Sequence, residues 1–99
     1  GRDCYTAAKG GVASMTRSMA AEYAADKIRV NAIAPSTTLS DRVKKLLEAS
    51  PEIKAVSETH LLGLGLPIHI ADLAVYLGSD ESAITTGQVI PVDSGVTIV

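Results

Sequence analysis

Ile28-Arg29-Val30-Asn31-Ala32-Ile33 is the clearest strand signal in the chain, because β-branched residues recur in an alternating pattern. Pro35 is expected to end this strand, and the polar residues Ser36-Thr37-Thr38 follow it. Ligands of open α/β sheets bind at the carboxyl ends of the strands. The sequence therefore predicts a ligand-binding loop directly after Pro35.

A long helix is predicted before this strand, from about residue 5 to residue 25. Alanine is frequent there, proline is absent, and apolar side chains recur at spacings of three and four. Gly10 and Gly11 each lower helix stability by about 1 kcal/mol relative to alanine. They also leave a face of small residues that suits close approach of a neighbour or ligand; the alternative is simply a weak helix. The apolar positions are Ala8, Val12, Met15, Met19 and Tyr23.

Several shorter elements are predicted after the strand. Ser40 is suited to cap the first of three helices, and Pro91 places the final strand at or near a sheet edge. The helices are expected at residues 41–49, 52–59 and 68–78, a buried loop at 61–66 and the strand at 88–92.

The order helix, strand, helices, strand predicts two parallel strands joined by a right-handed crossover. Two strands do not form a stable sheet alone. The fold class is therefore predicted as α/β, one end of a larger doubly wound parallel sheet.

Composition narrows the possible functions. The 99 residues are enough for one domain at most, and 46% are apolar. The net charge of −2 and the mixed charges argue against a nucleic-acid partner. No apolar run approaches the roughly 20 residues of a membrane span. With one cysteine and no visible signal peptide, a cytoplasmic protein with no membrane partner is expected.

The two histidines do not indicate a metal site. His60 and His69 lie nine residues apart, without cysteine or paired carboxylates at ligand spacing. We expect both to face solvent or to bond locally, and we predict no metal ligands.

Tyr5 and Lys9 are the candidate catalytic residues. Four positions apart on a helix, their side chains share one face. An ammonium group beside a phenol favours the phenolate, which gives a proton donor and acceptor near neutral pH. The spacing alone also occurs by chance, and the alternative is a surface tyrosine that stacks on a lysine stem.

Four segments, taken in order, resemble the C-terminal part of the short-chain dehydrogenase/reductase family. The resemblance covers nearly the whole chain. The segments are Tyr5-x-x-x-Lys9, Arg29-Val30-Asn31-Ala32-Ile33-Ala34-Pro35, Asp72-Leu73-Ala74-Val75-Tyr76-Leu77-Gly78-Ser79-Asp80-Glu81-Ser82 and Thr86-Gly87-Gln88-Val89-Ile90-Pro91-Val92-Asp93-Ser94-Gly95.

The resemblance implies an NAD- or NADP-dependent oxidoreductase that acts on a small carbonyl or alcohol substrate. Tyr5 is then the general acid and base, and Lys9 tunes it electrostatically and binds the nicotinamide ribose. Pro35 ends the strand that leads to the nicotinamide side of the cofactor site. The Thr38 backbone contacts the carboxamide, and Ser40 takes a position where the family usually has threonine.

The chain also departs from the family pattern. Ser36 replaces the usual glycine, which strains the backbone if that position needs a positive φ. The Gly-rich turn that binds pyrophosphate is absent, and so is the family's catalytic serine.

Residues 1–99 are therefore expected to be the C-terminal part of a single Rossmann-like domain whose N-terminal dinucleotide-binding half is missing. We expect the chain to be inactive without that half, which would be its partner, and to form a homo-oligomer. The alternative is a non-catalytic fragment that serves only as an oligomerisation or interaction module.

Overall fold

The computed structural model describes residues 1–99 and contains four α-helices and two β-strands. In chain order they are α1 (Asp3–Tyr23), β1 (Ala32–Pro35), α2 (Asp41–Ala49), α3 (Pro51–Glu58), α4 (Pro67–Gly78) and β2 (Val89–Val92). Single 3-10 turns occur at Ala24–Asp26, Asp80–Ser82 and Val96–Ile98. The predicted order of helix, strand, helices and strand is confirmed. No helix combines the length and the hydropathy that a membrane crossing requires.

The chain divides into two compact units. The first contains residues 1–32 and 76–90, and the second contains residues 33–75 and 91–99. The two strands are hydrogen-bonded neighbours. In the first unit the Ala32 N–H donates to the Gln88 carbonyl at 2.8 Å, and in the second the Ser36 N–H donates to the Val92 carbonyl at 3.3 Å. Since both partners advance in the same chain direction, the pair is parallel, as the sequence predicts.

In the first unit, α1 buries different residues from those that the periodicity predicts. Thr16 and Ala20 are the buried positions, whereas Val12 and Met15 are about half exposed. A Cβ atom at Gly87 would lie 3.4 Å from the Ala20 Cβ atom, so backbone approaches helix closely there. Small side chains allow this close approach. The predicted apolar stripe is wrong at Val12 and Met15, because these side chains are exposed instead of buried.

The first strand begins later than predicted, at Ala32 instead of residue 28. Before Ala32 the pairing is mixed: the Gly87 N–H donates to the Val30 carbonyl at 2.7 Å, but the Val30 N–H donates to the Thr86 hydroxyl at 3.0 Å. Asn31 donates to the Thr85 carbonyl at 2.8 Å and accepts from the Gln88 N–H at 3.1 Å. Because these side-chain bonds take the place of some ladder bonds, regular strand pairing begins only at Ala32. The predicted end at Pro35 is confirmed.

In the second unit, two serines define the boundaries of α2 and α3. The Ser40 hydroxyl accepts from the Val43 N–H at 3.3 Å, which confirms Ser40 as the cap of α2. Ser50 lies between the helices and its hydroxyl accepts from the Ile53 N–H at 3.4 Å. Pro51 occupies the first position of α3, where its missing N–H is tolerated.

The loop at residues 61–66 is not buried, and that prediction was wrong. Leu61, Leu62 and Leu66 are 60%, 90% and 42% exposed. Backbone bonds hold the loop instead: Leu61 N–H donates to the Ser94 carbonyl at 2.9 Å and Leu62 N–H to the Ser94 hydroxyl at 2.7 Å. Apolar composition suggested burial, but polar contacts of the main chain fix this segment.

Candidate active site

Tyr5 and Lys9 lie in the first two turns of α1, with Asp3 in the first turn favouring the helix start. The Lys9 Nζ atom is 5.4 Å from the centroid of the Tyr5 ring, within the range of a cation–π contact. Tyr5 is 62% exposed. Neither the phenol nor the ammonium group forms a hydrogen bond or salt bridge within the chain. Both polar groups are therefore open to a ligand.

A cavity of about 540 Å³ adjoins Tyr5 at the start of α1. Its lining comprises Gly1, Arg2, Asp3, Cys4 and Tyr5. This volume lies within the range of small-molecule sites. Tyr5 thus borders a space large enough for a small molecule.

The loop after β1 presents an open backbone donor. The Thr38 carbonyl accepts from the Ser40 N–H at 2.8 Å, and the Thr38 hydroxyl donates to the Ser36 carbonyl at 3.1 Å. Thr38 also forms an isolated parallel bridge with Gly65, in which Leu39 N–H donates to the Gly65 carbonyl at 2.7 Å. None of these bonds uses the Thr38 N–H, so this donor fits a ligand acceptor such as a carboxamide oxygen.

Ser40 caps α2 at the carboxyl side of the loop after β1. Its oxygen accepts from the Val43 N–H as the helix cap. A hydroxyl that accepts one bond keeps its own proton to donate. The capping role is therefore compatible with a polar contact to a ligand.

His60 is more closely tied to this loop than the sequence indicates. It is 6% exposed, its Nδ1 atom lies 3.0 Å from the Val56 carbonyl oxygen and its Nε2 atom 2.9 Å from the Ser36 hydroxyl oxygen. The local bond to Val56 agrees with the expected local pairing. The bond to Ser36 joins positions 24 residues apart, and no local sequence pattern predicts it.

The five predicted site residues fall into two sets. Tyr5 and Lys9 belong to the first compact unit, and Pro35, Thr38 and Ser40 to the second. Within the first set Lys9 lies over the Tyr5 ring, and within the second Thr38 and Ser40 are hydrogen-bonded while Pro35 ends β1. Ser36 adopts no positive φ, so the substitution of the usual glycine creates no strain of that kind.

Comparison with known proteins agrees with this architecture. Residues 1–97 match the family model described as enoyl-(acyl carrier protein) reductase. The chain belongs to the short-chain dehydrogenase/reductase family, and its fold is part of that family's α/β Rossmann fold.

Three relatives illustrate the similarity. The 3-oxoacyl-[acyl-carrier-protein] reductase of Thermotoga maritima is 42% identical over 98 residues, which cover 99% of this chain and 39% of the relative. The inactive 2-(S)-hydroxypropyl-CoM dehydrogenase 2 of Xanthobacter autotrophicus is 43% identical, and the match covers 96% of this chain and 44% of the relative. A protein of Agrobacterium tumefaciens, provisionally assigned as a 2-deoxy-D-gluconate 3-dehydrogenase, was solved with bound NADP. It superposes with a TM-score of 0.87 at 38% identity, over 96% of this chain and 39% of that protein. The chain thus spans about two fifths of the length of these relatives.

Proposed function

We propose that the protein transfers hydride between NAD or NADP and a small carbonyl or alcohol substrate. One observation carries the proposal: Tyr5 and Lys9 are paired on an open helix face, with Nζ 5.4 Å from the centroid of the phenol ring, in a chain of this family. When bound, the nicotinamide supplies the hydride in reduction and takes it up in oxidation.

In this proposal Tyr5 moves the proton. Its hydroxyl donates to the carbonyl oxygen during reduction and accepts the alcohol proton in the reverse reaction. The Lys9 ammonium group stabilises the phenolate that remains and donates to the nicotinamide ribose. General acid–base catalysis of this kind contributes about 10²- to 10⁴-fold in rate.

The second set of residues binds and orients the nicotinamide. The Thr38 N–H donates to its carboxamide, and the Ser40 hydroxyl contributes a further polar contact after the turn at Pro35. The open N–H of Thr38 and the remaining donor of Ser40 support these roles. NADP in the Agrobacterium relative supports a nicotinamide cofactor but does not separate NAD from NADP for this chain.

The test measures NADH and NADPH oxidation with small ketones and a 3-oxoacyl thioester. It uses the 99-residue chain and also the chain joined to any residues that its gene encodes before Gly1, because relatives are longer. Tyr5→Phe should lower kcat at least 100-fold, the lower bound for acid–base catalysis. Tyr23→Phe, on the same helix, is the matched control and should retain activity. A Tyr5→Phe variant with wild-type kcat contradicts the proposal.

A non-catalytic association module is the second candidate. One relative with 43% identity is named an inactive dehydrogenase, so substantial similarity within this family does not require activity. Large apolar side chains are also exposed in this chain, with Ile84 at 99% and Val75 at 72%. Exposed apolar surface favours association, including a homo-oligomer. This candidate predicts sedimentation as an oligomer that Ile84→Ser disrupts, with no cofactor-dependent activity in either polypeptide.

A further inference from the structure

His60 is a buried histidine to which the proposed reaction assigns no task. It follows the last turn of α3, and both ring nitrogens have protein partners. The Val56 carbonyl only accepts, so the proton is on Nδ1. In the neutral imidazole Nε2 is then the acceptor, and the Ser36 hydroxyl donates to it across 2.9 Å.

Ser36 is fixed at three points by this arrangement. Its N–H donates to the Val92 carbonyl, its carbonyl accepts from the Thr38 hydroxyl, and its hydroxyl donates to His60. The residue therefore links the carboxyl end of β1 to the position of Thr38. Glycine at residue 36 would retain the two main-chain bonds and lose the third.

We propose that the Ser36–His60 hydrogen bond positions the loop that presents the Thr38 N–H to the nicotinamide carboxamide. His60 is a positioning residue here, since it acts through Ser36 and touches no reacting atom. The inference rests on the proposed function and extends it to residues that the resemblance does not assign. It also gives the serine at position 36 a specific role.

The effect should appear in cofactor binding. Without the Ser36 hydroxyl the loop samples other arrangements, and the Thr38 donor is less often correctly placed. Ser36→Ala should raise the Kd for NADH or NADPH, measured by cofactor fluorescence without substrate, by roughly 3- to 10-fold, the worth of one neutral hydrogen bond. The KM of the carbonyl substrate should not change.

Control variants separate positioning from general destabilisation. Ser36→Thr keeps a hydroxyl and should restore the wild-type Kd. Ser57→Ala removes a hydroxyl that donates to the Lys54 carbonyl within α3, and it should leave the Kd unchanged. A merely structural loss lowers the fraction of active protein, hence kcat, and leaves the cofactor Kd unmoved.

A double-mutant cycle tests the coupling directly. In a His60→Leu background, Ser36→Ala should have no further effect on the Kd, because the partner is already absent. If the two changes act independently, or if Ser36→Ala binds cofactor like the wild type, the inference is wrong while the proposed function stands. If the wild type binds neither NADH nor NADPH, alone or joined to any residues that its gene encodes before Gly1, the proposed function fails and this inference fails with it.

Discussion

The backbone N–H of Leu66 donates a hydrogen bond to Nδ1 of His69 across 2.9 Å, at the start of α4. Leu66 directly precedes Pro67, the first residue of the helix, and His69 is the third. A side chain at the third position that accepts from the capping residue's N–H forms half of a capping box, a role usually taken by glutamate or glutamine. The imidazole accepts here only when Nδ1 carries no proton.

Substitution of His69 should therefore change the stability of α4 according to the acceptor that remains. His69→Glu keeps an acceptor and adds negative charge at the helix N-terminus, which should raise the free energy of unfolding by about 0.3–1 kcal/mol. His69→Ala removes the acceptor and should lower it by about 0.5–1.5 kcal/mol. Urea denaturation measures both changes. Equal stability of His69→Ala and wild type would show that the bond contributes nothing.

Arg29 should be sensitive even to a change that keeps its charge. Its guanidinium group donates to the Ser82 hydroxyl at 2.6 Å and to the carbonyls of Leu77 and Ser79 at 2.8 and 3.2 Å. Lysine cannot reproduce this planar fork. Arg29→Lys should destabilise the protein by about 1–3 kcal/mol in thermal or urea unfolding.

Ser82 offers a matched comparison for the same network. It is 1% exposed, and Ser82→Ala should also destabilise because Arg29 loses a buried acceptor. The hydroxyl of Ser79 donates to the Tyr76 carbonyl at an exposed position. Ser79→Ala should therefore change the stability much less, and an equal loss in both variants would argue against the importance of burial.

Asp93 should make stability depend on acid pH. The Thr97 hydroxyl donates to its carboxylate at 2.6 Å and lowers the Asp93 pKa; burial opposes this, and the N–H groups of Gly95 and Thr97 assist it. A carboxylate whose pKa is lower in the folded state stabilises the protein at pH values above the ordinary aspartate pKa of about 4. The contribution disappears as the pH falls through the folded-state value.

The test compares Asp93→Asn with wild type in urea across a pH series. Asparagine should be less stable at neutral pH, and the two midpoints should converge as the pH falls below about 4. Thr97→Val, which removes the principal hydrogen bond, should reduce the difference between them. A difference that stays constant with pH would contradict this account.

Substitution by alanine should change the stability of the protein in opposite directions at Gly10 and Gly95. A Cβ atom at Gly10 meets nothing within 4 Å, so Gly10→Ala should stabilise α1 by about 1 kcal/mol. Gly95 has a φ of +81°, and a Cβ atom there would lie 2.7 Å from the Leu61 Cδ1 atom. Gly95→Ala should therefore destabilise by more than about 1 kcal/mol.

Thermal unfolding of both glycine variants checks this prediction. A destabilised Gly10→Ala protein would indicate that a neighbour packs closely against the small-residue face of α1. That outcome would support the association of α1 with another chain or segment instead of a solvent-exposed helix face.

Local patterns were enough to predict α2 within its observed bounds and the other elements within a few residues. Ser40 as the cap and Asp41 in the first turn mark the start of α2. Pro35 ends β1 and Pro51 begins α3, because the fixed φ of proline restricts the backbone at both positions. The start of β1 was predicted too early because the side chains of Asn31 and Thr86 replace ladder bonds. Such replacements depend on partners more than fifty residues away.

The sequence alone determined the order of the elements, the helix boundaries to within about two residues and the placement of Tyr5 and Lys9 on one helix face, because these depend on propensity, capping and spacing within a few residues. It also carried the motifs of the family. Only the tertiary structure decided that Thr16 and Ala20 are the buried side of α1 and that residues 61–66 are exposed. It also decided that His60 bonds Ser36. These features depend on which distant groups meet in the folded chain, and no local pattern encodes that.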